Sequence, residues 1–105
     1  MKKFNLSVGE RLQSFAILNS EKIPDLKTLK AAMADIDAIQ LSDEERTEVN
    51  IRTENNSIMW DKDKEVLKDV TLSDETVAFL KKFIEAKTDF TLGDRYLVSL
   101  EEKLS

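Results

Sequence analysis

Leu41-Ser42-Asp43-Glu44-Glu45-Arg46-Thr47-Glu48-Val49-Asn50-Ile51-Arg52-Thr53-Glu54-Asn55-Asn56-Ser57-Ile58-Met59-Trp60 is the stretch in which the chain changes its period. Ser42 followed three residues later by Glu45 is a capping box: the hydroxyl accepts a backbone N–H and the carboxylate reaches back to the cap. It predicts a short helix of about two turns over 43–48. From Val49 the apolar residues recur every second position, Val49 and Ile51 and then Ile58 and Trp60. Asn55-Asn56 between them tolerates the left-handed backbone of a tight turn, so a β-hairpin follows the helix.

Downstream, Asp61-Lys62-Asp63-Lys64 is a polar connection, and the alternation of Val66, Lys68, Val70 and Leu72 allows a third strand and a small meander. Upstream, Ser7 and Glu10 form a second capping box, opening a helix that ends near Ser20 with Val8, Leu12, Phe15, Ala16 and Asn19 along one side. Pro24 and Asp25 lead into another helix, whose Leu26, Leu29, Met33 and Ile36 form a narrow apolar seam. This seam is expected to pack on the first and last helices of the same subunit; a helix–helix dimer face is the alternative. After the strands, Ser73 or Thr71 caps a helix with Val77, Leu80, Phe83, Ile84 and the stem of Lys87 on its apolar face, ending near Asp89. Thr91 with Asp94 opens a last helix striped by Leu92, Tyr96, Leu97, Leu100 and Leu104. The expected fold is α+β and mostly α, with four to five helices and a small antiparallel hairpin or three-stranded meander in the middle. Residues 1–105 are expected to make a single compact domain.

Composition narrows the chemistry. The 105 residues include no Cys and no His, so thiol nucleophiles, imidazole bases, disulfides and Cys/His zinc sites are excluded. Carboxylates are then the main acid–base groups, but none stands out as a catalytic pair. Asp35 and Asp37 lie two apart on a helix and point in different directions, and one of them is expected to border the core. Asp61, Asp63 and Glu65 match the first ligand spacing of a calcium loop, but Val66 and Leu72 stand where that loop needs Gly and a bidentate Glu. Gly9 and Gly93 stand alone, with no phosphate-cradling motif. The expectation is a protein that is not an enzyme and needs no cofactor or metal.

Charge points to partners. Lys and Arg number 16 against 21 Asp and Glu, a net charge of −5. Residues 1–40, 41–75 and 76–105 carry +1, −6 and 0, so the middle third holds the whole excess. That balance disfavours phosphate-backbone binding. The helix–helix–hairpin order resembles a winged helix, yet Lys22, Lys27 and Lys30 lack accompanying base-reading residues, and the wing would carry Glu48, Glu54, Asp61 and Asp63. No apolar run resembles a signal h-region or approaches the roughly 18 residues of a membrane span, so a cytoplasmic location and no membrane partner are expected.

The stretches Glu10-Arg11-Leu12 with Leu18-Asn19, Leu41-Ser42-Asp43-Glu44-Glu45, Asn55-Asn56-Ser57-Ile58-Met59-Trp60-Asp61 and Lys64-Glu65-Val66 precede a Lys-rich capped helix and a Leu-rich closing one. Together they resemble a group of small uncharacterised phage and prophage proteins, with an "ERLxLLNLLP" opening, an "LSFTEEE" segment, a hairpin ending in Val-x-Trp and a final "HLSLYEKF" helix. Here Ser14-Phe15-Ala16-Ile17 replaces the leucine-rich opening, and Tyr96-Leu97-Val98-Ser99-Leu100-Glu101-Glu102-Lys103 closes the chain without a His. The resemblance implies a shared fold and a phage origin, and it transfers no active site.

The leading expectation is a noncatalytic phage accessory protein that inhibits or redirects a host factor, such as one of its defence systems. Its contact surface would be the acidic residues Glu44, Glu45, Glu48, Glu54, Asp61 and Asp63. A second reading is a homo-oligomeric sponge for a nucleotide-like ligand, with Arg11, Arg52 and Arg95 on phosphates and Trp60 or Tyr96 stacked on a base. A virion structural or assembly protein is the third. Trp60 is expected in the core, with an interface as its alternative role. Leu26, Leu29, Met33 and Ile36 are the candidate oligomer face of a homodimer.

Overall fold

Ser7 and Ser42 stand as N-caps of two helices. Glu10 N donates to Ser7 Oγ at 3.2 Å and Ser7 N to Glu10 Oε1 at 2.8 Å, and the Ser42–Glu45 pair repeats this at 3.2 and 3.0 Å. At the third signal, Thr91 N donates to Asp94 Oδ2 at 2.9 Å. The computed structural model describes residues 2–55, 57–64 and 67–105.

Strand β1 (Lys2–Leu6) leads into α1 (Val8–Ser20), α2 (Leu26–Ile39) and the short α3 (Asp43–Glu48). The hairpin strands β2 (Arg52–Glu54) and β3 (Ser57–Met59) follow, then a 3₁₀ turn (Lys62–Lys64) and β4 (Lys68–Leu72). Helix α4 (Asp74–Ala86), a second 3₁₀ turn (Leu92–Asp94) and α5 (Arg95–Leu104) complete the chain. The mostly α architecture with a small antiparallel hairpin is as the sequence predicts, and α3 has the predicted bounds.

The meander does not form. β4 pairs antiparallel with β1, Phe4 opposite Val70 and Lys2 opposite Leu72, while β2 and β3 pair only with each other. The reason is the alternation in Lys2–Leu6: Phe4 and Leu6 turn one face inward beside Val70 and Leu72, giving both strands a buried side that β3 does not share. Asn56 of the turn and Val66 of the third-strand pattern lie outside the described residues. Asn55 has a φ of 51°, the left-handed backbone expected at the turn, and Asn50 has a φ of 55° where α3 hands over to the hairpin.

Two apolar clusters meet along α1. The larger joins Phe4, Leu6, Val70 and Leu72 of the β1–β4 ribbon to Ile17, Leu18, Ala32, Ile39, Leu80, Ile84, Leu97, Leu100 and Leu104 of the helices. The smaller holds Val8, Leu41, Val49 and Trp60, with Leu12, Ile51 and Tyr96 against it. Trp60 is buried there, in its expected core role, with its ring 5.6 Å from that of Tyr96 and tilted by 43°.

Two predicted faces are rotated, and a third loses one residue. On α1 the fully buried line is Val8, Arg11, Ser14 and Leu18, because Arg11 and Ser14 find buried hydrogen-bond acceptors; Leu12 and Phe15 pack at its edge and Ala16 and Asn19 are exposed. On α2 the core takes Ala32, Asp35 and Ile39, with Ile36 partly buried against it, whereas Leu26, Leu29 and Met33 are exposed, so three of the four seam residues do not pack on the first and last helices. Asp35 sets this rotation: it is buried and accepts from Ser73 N at 2.9 Å and Ser73 Oγ at 3.2 Å, tying α2 to the start of α4. In the final stripe Leu97, Leu100 and Leu104 are buried, but Leu92 is 89% exposed because the chain there is a 3₁₀ turn whose rotation differs from that of α5. Helix α4 also ends at Ala86, short of Asp89.

Candidate functional site

The acidic surface belongs to the unit that α3 and the hairpin build over Val49 and Trp60. Asp61 N donates to Val49 O at 2.7 Å and Ile51 N to Arg46 O at 3.0 Å, so helix, hairpin and the following turn are joined through the main chain. The six predicted carboxylates fall into two groups. Glu45, Glu54 and Asp61 are engaged within the fold. Glu44, Glu48 and Asp63 are exposed and make no ion pair among the described residues.

Glu45 is held by Arg11, whose guanidinium is 1% exposed. Arg11 Nη1 lies 2.6 Å from Glu45 Oε2 and Nη2 3.1 Å from Oε1, a bidentate pair. Its remaining donors reach Ile39 O at 3.0 Å and Gln40 O at 2.9 Å, the carbonyls that end α2. The Arg11 hydrogen bond is the main cause that holds the Glu45 carboxyl at about 2; the Ser42 N–H and the charge of Lys68 act in the same direction. Arg52 lies between Glu54 at 3.2 Å and Asp61 at 3.1 Å, and these acids hold its pKa above the ordinary value. Both arginines are thereby neutralised by acids of the same surface.

Glu10 is buried beside Lys103, whose Nζ donates to Glu10 Oε1 at 2.6 Å and to Asn5 O at 2.7 Å. Burial alone would raise the Glu10 carboxyl, but Lys103, the Ser7 N–H and Ser99 outweigh it and hold it below the ordinary value. Sequence reasoning did not single out Glu10 or Lys103 for this role. The signal for Arg11 was present, since it falls on the same helical line as Val8 and Leu18.

The five residues of the ligand reading are not brought together as a binding surface. Arg11 is buried under Glu45, Arg52 is shared by two carboxylates, Arg95 is exposed at the start of α5, and Trp60 and Tyr96 contact each other. Of the oligomer face, Leu26, Leu29 and Met33 are exposed and Ile36 packs partly against the larger core.

Ile84, Phe90, Leu97, Val98 and Glu101 line a shallow cavity of about 200 Å³ between α4 and α5. Glu21, Phe83, Ala86, Lys87, Thr88 and Asp89 line another of about 420 Å³. No hydrogen bond joins a nucleophile to a base across either one among the described residues. Among the described residues no group of three or more acidic side chains is placed to hold a metal, and Glu65 of the calcium-like spacing lies outside them. No helix among the described residues is long and apolar enough to cross a membrane.

Comparison of the chain with protein-family models, with curated proteins and with solved structures gave no match.

Proposed function

We propose that this chain is a noncatalytic phage accessory protein that binds a host protein through the acidic face of its α3–hairpin unit and so inhibits or redirects it. The observation that carries the reading is the division of labour among the six carboxylates. Glu45, Glu54 and Asp61 brace the unit through Arg11 and Arg52, and Glu44, Glu48 and Asp63 are exposed with no ion pair among the described residues. Glu44 and Glu48 are four residues apart on α3 and share one face. Ile58, 54% exposed on β3 of the same unit, adds an exposed apolar side chain to it. A basic, partly apolar protein surface is the chemistry such a face fits.

The reading of the chain as non-enzymatic and the assignment to a phage rest on the absence of His and Cys and on the resemblance of its motifs. The triple variant Glu44→Lys, Glu48→Lys, Asp63→Lys tests the surface. It keeps every ion pair described above, so its circular dichroism and urea midpoint stay near those of the parent, while capture of the partner is lost. Capture undiminished in the folded triple variant contradicts the proposal.

A further inference from the structure

Helices α1 and α4 both end at one cavity. Glu21 is the C-cap of α1 and Lys87 that of α4, and with Phe83, Ala86, Thr88 and Asp89 they line the space of about 420 Å³. That volume lies in the range of small-ligand sites, which begins at roughly 300 Å³. A helix closes on carbonyls that have no donor within it, and its end carries the equivalent of roughly half a negative charge. A Lys or Arg in the last turn would complement such an end, and neither α1 nor α4 has one.

The side chains carry the same sign. Glu21 and Asp89 are exposed and make no ion pair among the described residues. Lys87 is the one cation among the described residues of the lining, and its ammonium stands 5.7 Å from the centre of the Phe90 ring, which lines the neighbouring cavity instead. Phe83, partly buried against the larger core, is the aromatic residue of the lining. An aromatic ring attracts a cation to its face, and a guanidinium stacks on one. A guanidinium also offers five N–H donors in a rigid fork, which suit carboxylates and helix carbonyls alike. An anion would meet two carboxylates and two negative helix ends.

We infer that the cavity at the ends of α1 and α4 is a binding site for the guanidinium side chain of arginine, with Glu21 and Asp89 as its charge partners and Phe83 as the contact for its stem. One side chain makes few contacts and Lys87 opposes its charge, so the dissociation constant is on the order of 1 mM. None of these residues belongs to the acidic α3–hairpin face, and the inference stands or falls separately from the proposal above.

Heteronuclear NMR of the labelled full chain, titrated to about 20 mM with Nα-acetylarginine amide or with its neutral citrulline counterpart, tests it. The arginine compound gives saturable shifts at Glu21 and at residues 83–89, and the citrulline compound binds about tenfold more weakly or not at all. Glu21→Gln combined with Asp89→Asn, both at exposed positions, leaves circular dichroism unchanged and weakens binding by about tenfold. Lys87→Met tightens it by about threefold, because the opposing charge is gone. Free arginine binding more tightly than the blocked compound makes the ligand the amino acid, and equal binding makes it a side chain of a peptide. The absence of saturable shifts, equal binding of the citrulline compound, undiminished binding by the folded double variant, or weaker binding by Lys87→Met overturns the inference.

Discussion

Arg11 Nη1 lies 2.6 Å from Glu45 Oε2, joining two residues that are 34 positions apart and that each sit in the first turns of a capped helix. Through this pair the start of α1 holds the end of α2 and the start of α3 in one place, since the same guanidinium also takes the carbonyls of Ile39 and Gln40. The acidic unit is therefore oriented on the rest of the fold by a buried cation. Removing one partner of such a pair costs more than the pair itself contributes, because the other is left desolvated and unmatched. Arg11→Ala is expected to lower stability by about 3 kcal/mol and Glu45→Gln by about 1 kcal/mol, both read from urea midpoints. An Arg11→Ala loss no greater than that of an exposed arginine would contradict the assignment.

Acid sensitivity follows from the same pair. The Glu45 carboxyl ionises at about 2 in the folded chain against an ordinary 4.5, and Glu10 is also held low. Groups depressed by folding contribute stability that is full above the unfolded value and is lost as pH falls through the folded one. Stability is expected to decline from about pH 4.5 down to about pH 2, and Glu45→Gln is expected to flatten part of that slope. Urea midpoints at a series of pH values read it out, and equal slopes for parent and variant would refute the link.

Gly9 is tested by a single methyl group. A Cβ at this position would stand 2.4–2.6 Å from the Tyr96 ring. Alanine is the better helix former by about 1 kcal/mol, yet Gly9→Ala is expected to destabilise by about 1–3 kcal/mol through overpacking. Adding Tyr96→Leu is expected to recover part of the loss, and thermal unfolding of the single and double variants measures it.

Asp35 caps α4 from another helix. Ser73 takes the N-cap position of α4 but its hydroxyl donates to Asp35 instead of accepting from its own helix. Asp35→Ala is expected to cost about 1–2 kcal/mol, with Asp35→Asn milder because an amide oxygen still accepts from Ser73 N. Equal stability of parent and Asp35→Ala would show that the cap is immaterial.

Local signals in the chain were legible where they act over a few residues. The Ser7, Ser42 and Thr91 caps, the bounds of α3 and the hairpin alternation depend only on neighbours within a turn or two. Strand β1 was not legible, because its five residues carry no turn signal and pair with β4 some 66 positions away. The rotation of α2 was hidden for a related reason: apolar spacing ranks Leu26, Leu29 and Met33 as the core face, whereas a hydrogen bond from Ser73 to the buried Asp35 accompanies the turn of the smaller Ala32 inward. Of the acidic surface, the charge excess was readable, but its division into bracing and free carboxylates depends on where Arg11 and Arg52 reach.

Affinity capture with the tagged full chain from a host-cell lysate, at about 0.05 and about 0.5 M salt with mass spectrometry of the retained proteins, tests the binding proposal most directly. The account predicts one host protein retained at low salt, released at high salt and missed by the Glu44→Lys, Glu48→Lys, Asp63→Lys variant. An empty capture at low salt, or a partner held equally by parent and folded variant at both salts, would contradict it.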